Sequence, residues 1–169
     1  VIHAAMVLND SALSNMTDKM FSDTLCPKTY GIRNLFDVCE DNGIRRMIIF
    51  SSAQSYLNYA GQSNYSAAST FIDSYSAERG RESGISVKVI NWGLWGAVGA
   101  VSDNYHQKRM QSKGLRPFMK EDGLAAMNAA MAAEPAAVTA VKINSEDICR
   151  VFNSYGFDNI EDAVPTAAS

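Results

Sequence analysis

The sequence predicts an α/β fold, a parallel sheet with helices on its faces. Three observations carry that expectation. Short apolar runs of strand length, at residues 1–5, 46–51 and 86–91, alternate with stretches of helical period. The intervening stretches exceed the dozen or so residues that a parallel crossover needs, where a hairpin would need two to five. The run at 46–51 also holds four consecutive apolar residues, Met47 to Phe50, as a strand covered on both faces does.

Each element follows from a local signal. Residues 1–5 (Val-Ile-His-Ala-Ala) read as a strand with no turn or cap before it. Residues 18–42 read as a long helix, because Met20, Phe21, Leu25, Ile32, Leu35, Phe36 and Val38 recur at helical spacing. Pro27 lies inside it and predicts a kink or a break before Lys28. Asn42-Gly43 ends it. The strand at 46–51 leads through a loop containing Gly61 to a second helix over 64–83, closed by Gly84. After the strand at 86–91 the texture changes. Gly93, Gly96 and Gly99 mark a loop, 104–113 a polar helical stretch, and 122–133 an Ala/Met-rich helix stopped by Pro135. A last strand is expected over 137–143, a short helix over 145–155, and a linker over 164–169.

Strand, helix, strand, helix, strand is about half of a doubly wound sheet. An apolar strand at 1–5 needs a neighbour on its open side. The expectation is therefore a Rossmann-like doubly wound parallel sheet whose N-terminal, nucleotide-binding half lies outside this chain. Residues 1–144 form the C-terminal part of that domain, with a lid at about 96–116; residues 145–169 are a terminal helix and linker.

Composition narrows the classes. The 169 residues are 47% hydrophobic and 20% charged, as in a folded globular protein. A net charge of −3 argues against nucleic acid or an anionic membrane as partner. No apolar run is long enough to cross a bilayer, and residues 1–8 lack the basic start and cleavage site of a secretory signal. Cys26, Cys39 and Cys149 are odd in number and show no metal spacing, which suits reduced thiols in the cytoplasm.

The chemistry concentrates in Lys28, Ser52 and Tyr65, within Cys26-Pro27-Lys28, Phe50-Ser51-Ser52-Ala53 and Gly61-Gln62-Ser63-Asn64-Tyr65-Ser66-Ala67-Ala68. These residue types suit carbonyl reduction. A tyrosine hydroxyl protonates a developing alkoxide, a serine hydroxyl holds the same oxygen, and an ammonium makes the tyrosine a better acid. Each has a blander reading: a solvated helix lysine, a strand-end cap, an aromatic at a helix start. A glycine-rich phosphate turn, which a nicotinamide enzyme also needs, is absent from the sequence.

Together with Val1-Ile2-His3-Ala4-Ala5, Leu8-Asn9-Asp10 and Asn91-Trp92-Gly93-Leu94-Trp95, these segments resemble, in order and spacing, the ketoreductase domains of modular polyketide synthases. That family is a branch of the short-chain dehydrogenases/reductases, and the resemblance spans residues 1–143. Most short-chain reductases place the lysine four residues after the tyrosine. Here that position is Ser69, and the ketoreductases instead place the lysine on the preceding long helix, where Lys28 stands. The resemblance implies an NADPH-dependent reduction of a β-ketoacyl chain carried by acyl carrier protein on a phosphopantetheine arm. It makes Tyr65 the proton donor, Ser52 the oxyanion donor and Lys28 the stabiliser of tyrosinate, with Ser69 where the family more often has asparagine. His3, Ala4, Ala5, Lys28, Tyr65, Asn91, Gly93 and Leu94 would lie against the cofactor, though for His3 a packed structural role is favoured and the tryptophans are equally readable as core. Asp10 matches the last residue of a Leu-Asp-Asp motif that marks D-hydroxyl products, and Leu57 stands where the opposite class carries tryptophan. Gln62 and Trp95 complete the implied substrate side. The implied partners are acyl carrier protein, the N-terminal half and neighbouring synthase domains. Rival readings are a non-catalytic structural subdomain of the same enzymes, a stand-alone reductase of a small ketone, and an epimerising variant.

Overall fold

A computed structural model of the chain describes residues 1–57, 59–96 and 114–143. Its centre is a four-stranded parallel sheet. β1 (Ile2–His3), β2 (Arg46–Ser52), β3 (Ser86–Trp92) and β5 (Ala137–Ala140) lie side by side in that order. β2 and β3 pair in full register, Arg46 opposite Ser86 through Ser52 opposite Trp92. Both strands therefore end together, and the chain leaves each of them at the same edge of the sheet.

The sheet alternates with helices as the sequence predicts. α1 (Asp18–Asp41) connects β1 to β2, and α3 (Ser63–Ser83) connects β2 to β3. Thr17 caps α1, its hydroxyl accepting from the Met20 N–H at 3.2 Å. Gly84 ends α3 at φ 66°, a left-handed conformation that glycine adopts without steric cost. α4 (Lys120–Ala132) leads to β5.

The two-residue period of the strands divides the core. Met47, Ile49 and Val89 point to the α1/α3 side and pack with Ile32, Phe36, Cys39 and Ile72. Ile48, Phe50, Ile90 and Trp92 point the other way, toward Phe118 and the Ala126, Met127 and Ala130 face of α4. No helix among the described residues is long and apolar enough to cross a membrane.

Four sequence expectations change. α1 runs unbroken through Pro27. The carbonyl that loses a donor there is that of Asp23, an exposed residue, while Thr24, Lys28, Ile32 and Phe36 hold the buried side of the helix together. The first strand is two residues long, not five. The expected strand at 137–143 divides at Val141, so that β6 (Lys142–Ile143) leaves the parallel sheet and pairs antiparallel with β4 (Leu115–Arg116). The loop before Gly61 contains a short helix, α2 (Gln54–Leu57). The expected lid and the segment from 145 onward fall within 97–113 and 144–169, outside the described residues apart from the lid's margins.

Candidate active site

β2 and β3 both end at one cleft, where the carboxyl ends of parallel strands commonly bind ligands. β2 contributes Ser51 and Ser52, and the turn after it Ala53 and Gln54. Trp92, Gly93 and Leu94 arrive from β3, Ala4, Met6 and Leu8 from the segment after β1, and Lys28 and Tyr65 from α1 and α3. Leu57, Gln62, Trp95 and Leu115 close the remaining sides.

Lys28 is the largest fully buried side chain, 1% exposed, so it is not a solvated helix lysine. Its Nζ donates to the Phe50 carbonyl at 3.3 Å and lies 5.3 Å from the centre of the Tyr65 ring. An ammonium has three N–H donors, and among the described residues one is engaged by hydrogen bonding. Burial pulls its pKa down to about 8, against the favourable charge of Asp73. A group poised there is charged at neutrality yet easily perturbed.

Tyr65 is the third residue of α3. Asn64 Oδ1 accepts from the Tyr65 backbone N–H at 2.9 Å, and Asn64 Nδ2 donates to Asn9 O and Thr24 Oγ1. One amide, wholly buried, thus ties the Tyr65 turn to α1 and to the Asn9–Asp10 segment. Burial raises the Tyr65 pKa, a hydrogen bond with Ser52 lowers it, and the Asp10 carboxylate raises it further. The Tyr65 hydroxyl also points at Met6 Sδ, 4.0 Å away. Ser52 Oγ accepts from the Gln54 N–H at 3.2 Å, so the strand-end cap reading holds alongside the cleft position.

The other predicted residues divide. Asp10 and Gln62 come together, Gln62 Nε2 donating to Asp10 Oδ2 at 2.7 Å. Leu57, Trp95, Ala4, Gly93 and Leu94 line the cleft. Ala5 follows Ala4 on the exposed side, outside the lining. His3 packs behind the cleft, its Nε2 3.0 Å from Pro27 O, and burial lowers its pKa. Asn91 turns its amide away, donating to Asp73 Oδ2 at 2.7 Å and to Ser52 O at 3.3 Å. Ser69 is fully buried one turn beyond Tyr65, its carbonyl 3.5 Å from Ser51 Oγ and its own hydroxyl without a partner among the described residues.

Comparison with known proteins fits this geometry. Residues 1–97 match the KR domain family. The chain belongs to that family. This ketoreductase domain is 35% identical over 139 residues to the spectinabilin polyketide synthase system protein NorB of Streptomyces orinoci, covering 80% of this chain and 6% of that protein. To polyketide synthase PksN of Bacillus subtilis it is 32% identical over 127 residues, covering 75% of this chain and 2% of the synthase. The chain thus spans a small part of these relatives. Among solved structures, a ketoreductase domain from the bacillaene assembly line superposes with a TM-score of 0.80 at 28% identity, over 88% of this chain and 37% of that one. The first ketoreductase of the tylosin synthase gives 0.77 at 27% identity, over 97% and 36%.

Sequence reasoning passed over Met6, Gln54, Asn64 and Asp73. Asn64 stood beside Tyr65 in the motif, and its place at a helix start was the available signal. Met6 and Gln54 carried none, since Met6 lies on irregular backbone and Gln54 opens the four-residue α2.

Proposed function

We propose that this ketoreductase domain reduces the β-ketone of an acyl thioester to a hydroxyl, with NADPH as reductant, during polyketide assembly. The observation that carries the reading is the buried Lys28 ammonium 5.3 Å from the Tyr65 ring, in a cleft that Ser52 shares. A purely structural subdomain gives no reason to bury an ammonium, which is costly without a task or a partner.

The cleft suits a nicotinamide cofactor on its own terms, because Lys28 keeps N–H donors for hydroxyl groups and the walls are largely apolar. Lys28 and Tyr65, with Ala4, Gly93 and Leu94 around them, are the residues proposed to hold it, while His3, Ala5 and Asn91 stand outside the lining. When bound, the reduced nicotinamide supplies the hydride for the ketone carbon. Tyr65 delivers the proton to the ketone oxygen, and Ser52 donates a hydrogen bond to that oxygen as negative charge builds. Lys28 lowers the cost of tyrosinate, which burial alone would make prohibitive. Ser69, in the place where the family more often has asparagine, leaves a hydroxyl for relaying a proton from Lys28. Asp10, held by Gln62, sets the face of the ketone with Leu57 and Trp95, and the product is the D-hydroxyl. The substrate is delivered by acyl carrier protein on phosphopantetheine, within a synthase whose other domains flank this one.

The test is oxidation of NADPH by the full-length protein with a β-ketoacyl thioester. Tyr65→Phe should lower the rate by about 10²-fold or more while NADPH binding stays within about twofold. Full retained activity rejects the mechanism.

A further inference from the structure

Asp73 lies two turns beyond Tyr65 on α3, outside every motif that pointed to the cleft. Its Oδ2 accepts from Asn91 Nδ2 at 2.7 Å and from Ser55 Oγ at 2.7 Å. Asn91 Nδ2 also reaches Ser52 O at 3.3 Å and Ser55 Oγ at 3.4 Å. One carboxylate thereby gathers the end of β2, the end of β3 and the first turn of α2. Its second oxygen, Oδ1, is buried without a hydrogen-bond partner among the described residues. A carboxylate oxygen left bare in such a place is destabilising unless its charge is used. The cation it acts on is Lys28, whose charged form it favours.

We propose that Asp73 is a positioning residue of the reduction. It clamps the β2–α2 corner that carries Ser52, and it supplies the negative charge that keeps Lys28 an ammonium beside Tyr65. The inference rests on the reductase reading and adds to it a group that never touches substrate. Among the described residues, the other charged or titratable neighbours do not duplicate it. His3, from β1, feels Lys28 but is held toward its neutral form by burial. Tyr56, from α2, feels Asp73 and is likewise held neutral by burial. Tyr65 faces Lys28 from α3, and Asp10, from the segment after β1, acts on Tyr65. Phe50 contributes its carbonyl alone.

The experiment is the pH profile of kcat for the full-length protein with NADPH and a β-ketoacyl thioester. Activity that needs the Lys28 ammonium is lost as pH rises through its pKa, which sets an alkaline limb. Asp73→Asn keeps a hydrogen-bond acceptor and loses the charge, so kcat should fall about tenfold and the limb should move down by about one pH unit, with KM within about twofold. Asp73→Glu should bring the limb back toward wild type. Ser55→Ala keeps the charge and loosens the clamp, so kcat should fall a few-fold with the limb unmoved. Asp73→Ser, smaller and neutral, reports the same limb shift if Asp73→Asn does not fold. A neutral variant with a wild-type limb overturns the proposal, as does equal loss in all variants with no limb movement. Tyr65→Phe is measured alongside. If it keeps full rate, the reductase reading fails; if it is inactive and the neutral variants have a wild-type limb, the Asp73 inference alone fails.

Discussion

On one face of the sheet, α1 and α3 bury Thr24, Lys28, Asn64, Ser69 and Ser76 beside Ile32, Phe36 and Ile72. On the other face, α4 buries Gly123 and Ala130 against Ile90, Trp92 and Phe118. The first face carries polar groups at the cost of satisfying them. Thr24 donates to Met20 O, and Asn64 donates to Thr24, but the Ser69 and Ser76 hydroxyls have no partner among the described residues. The second face is an aromatic cluster, with Trp92 edge-on to Phe50 at 5.4 Å and to Phe118 at 5.8 Å. Lys28 and Tyr65 reach the cleft from the polar-bearing face. The aromatic face supplies a wall that nothing needs to move.

The comparison is broken most severely at Phe36, which is fully buried and meets Tyr75 edge-on at 5.9 Å. Phe36→Ala should cost about 3–5 kcal/mol, because it empties a fully buried ring's volume between α1, α3 and the sheet. Chemical denaturation of the full-length protein measures it, and a loss below about 1 kcal/mol would mean that the face repacks freely.

Lys28 gives the next largest effect, and a distinctive pH signature. Its pKa is about 8 in the folded protein against 10.5 for a free lysine. Between those values the unfolded chain binds a proton that the folded chain lacks, so stability rises with pH across that window. The rise should be roughly 3 kcal/mol. Below pH 8 both states are protonated and the burden of the buried charge is fully present. Lys28→Met should flatten the rise and be the more stable protein near neutrality and, on the reductase reading, lose activity. An equal pH slope in wild type and variant would place the ammonium in solvent.

Much of this is legible in the sequence, and the reasons are local. The periodicity of Ile32, Leu35 and Phe36 predicts α1, and the apolar run at 46–51 predicts β2. Lys28, Ser52 and Tyr65 do meet in one cleft, although they come from three elements. What the sequence hides is tertiary. Pro27 signals a break in any isolated helix, and packing overrides it here. Residues 137–143 alternate like one strand, yet the pairing partner changes at Val141. Asp73 and Asn91 are 18 residues apart on different elements, and no spacing rule links them. Local patterns bring forward residue types suited to a chemical task, whereas a buried hydrogen bond between elements becomes visible only when the elements are packed.

The aromatic face should yield at Gly123. A Cβ built there runs into the indole of Trp95, which also lines the cleft. Gly123→Ala should therefore destabilise by about 1–3 kcal/mol, against the gain that alanine normally brings to a helix. The same push on Trp95 should raise KM more than it lowers kcat. A stabilised Gly123→Ala protein would show that Trp95 has room to move, and that the wall is softer than its packing suggests.

The smallest effect concerns selectivity rather than rate. Asp10 reaches the cleft through Gln62, while its own segment is stitched down independently: Asn64 Nδ2 holds Asn9 O at 2.9 Å, and the Ser11 N–H donates to Gly61 O at 2.9 Å. Asp10→Ala should leave that backbone in place and free the Gln62 amide. On the reductase reading, kcat/KM then stays within about threefold while the ratio of D- to L-hydroxyl product falls about five- to tenfold, a difference of about 1 kcal/mol between competing transition states. Gln62→Leu should reproduce the change, because it removes the same hydrogen bond from the other side, and the double variant should add little to either. Chiral chromatography of the product decides. An unchanged ratio in both single variants would reduce Asp10 to a turn residue and leave Leu57 and Trp95 to choose the face.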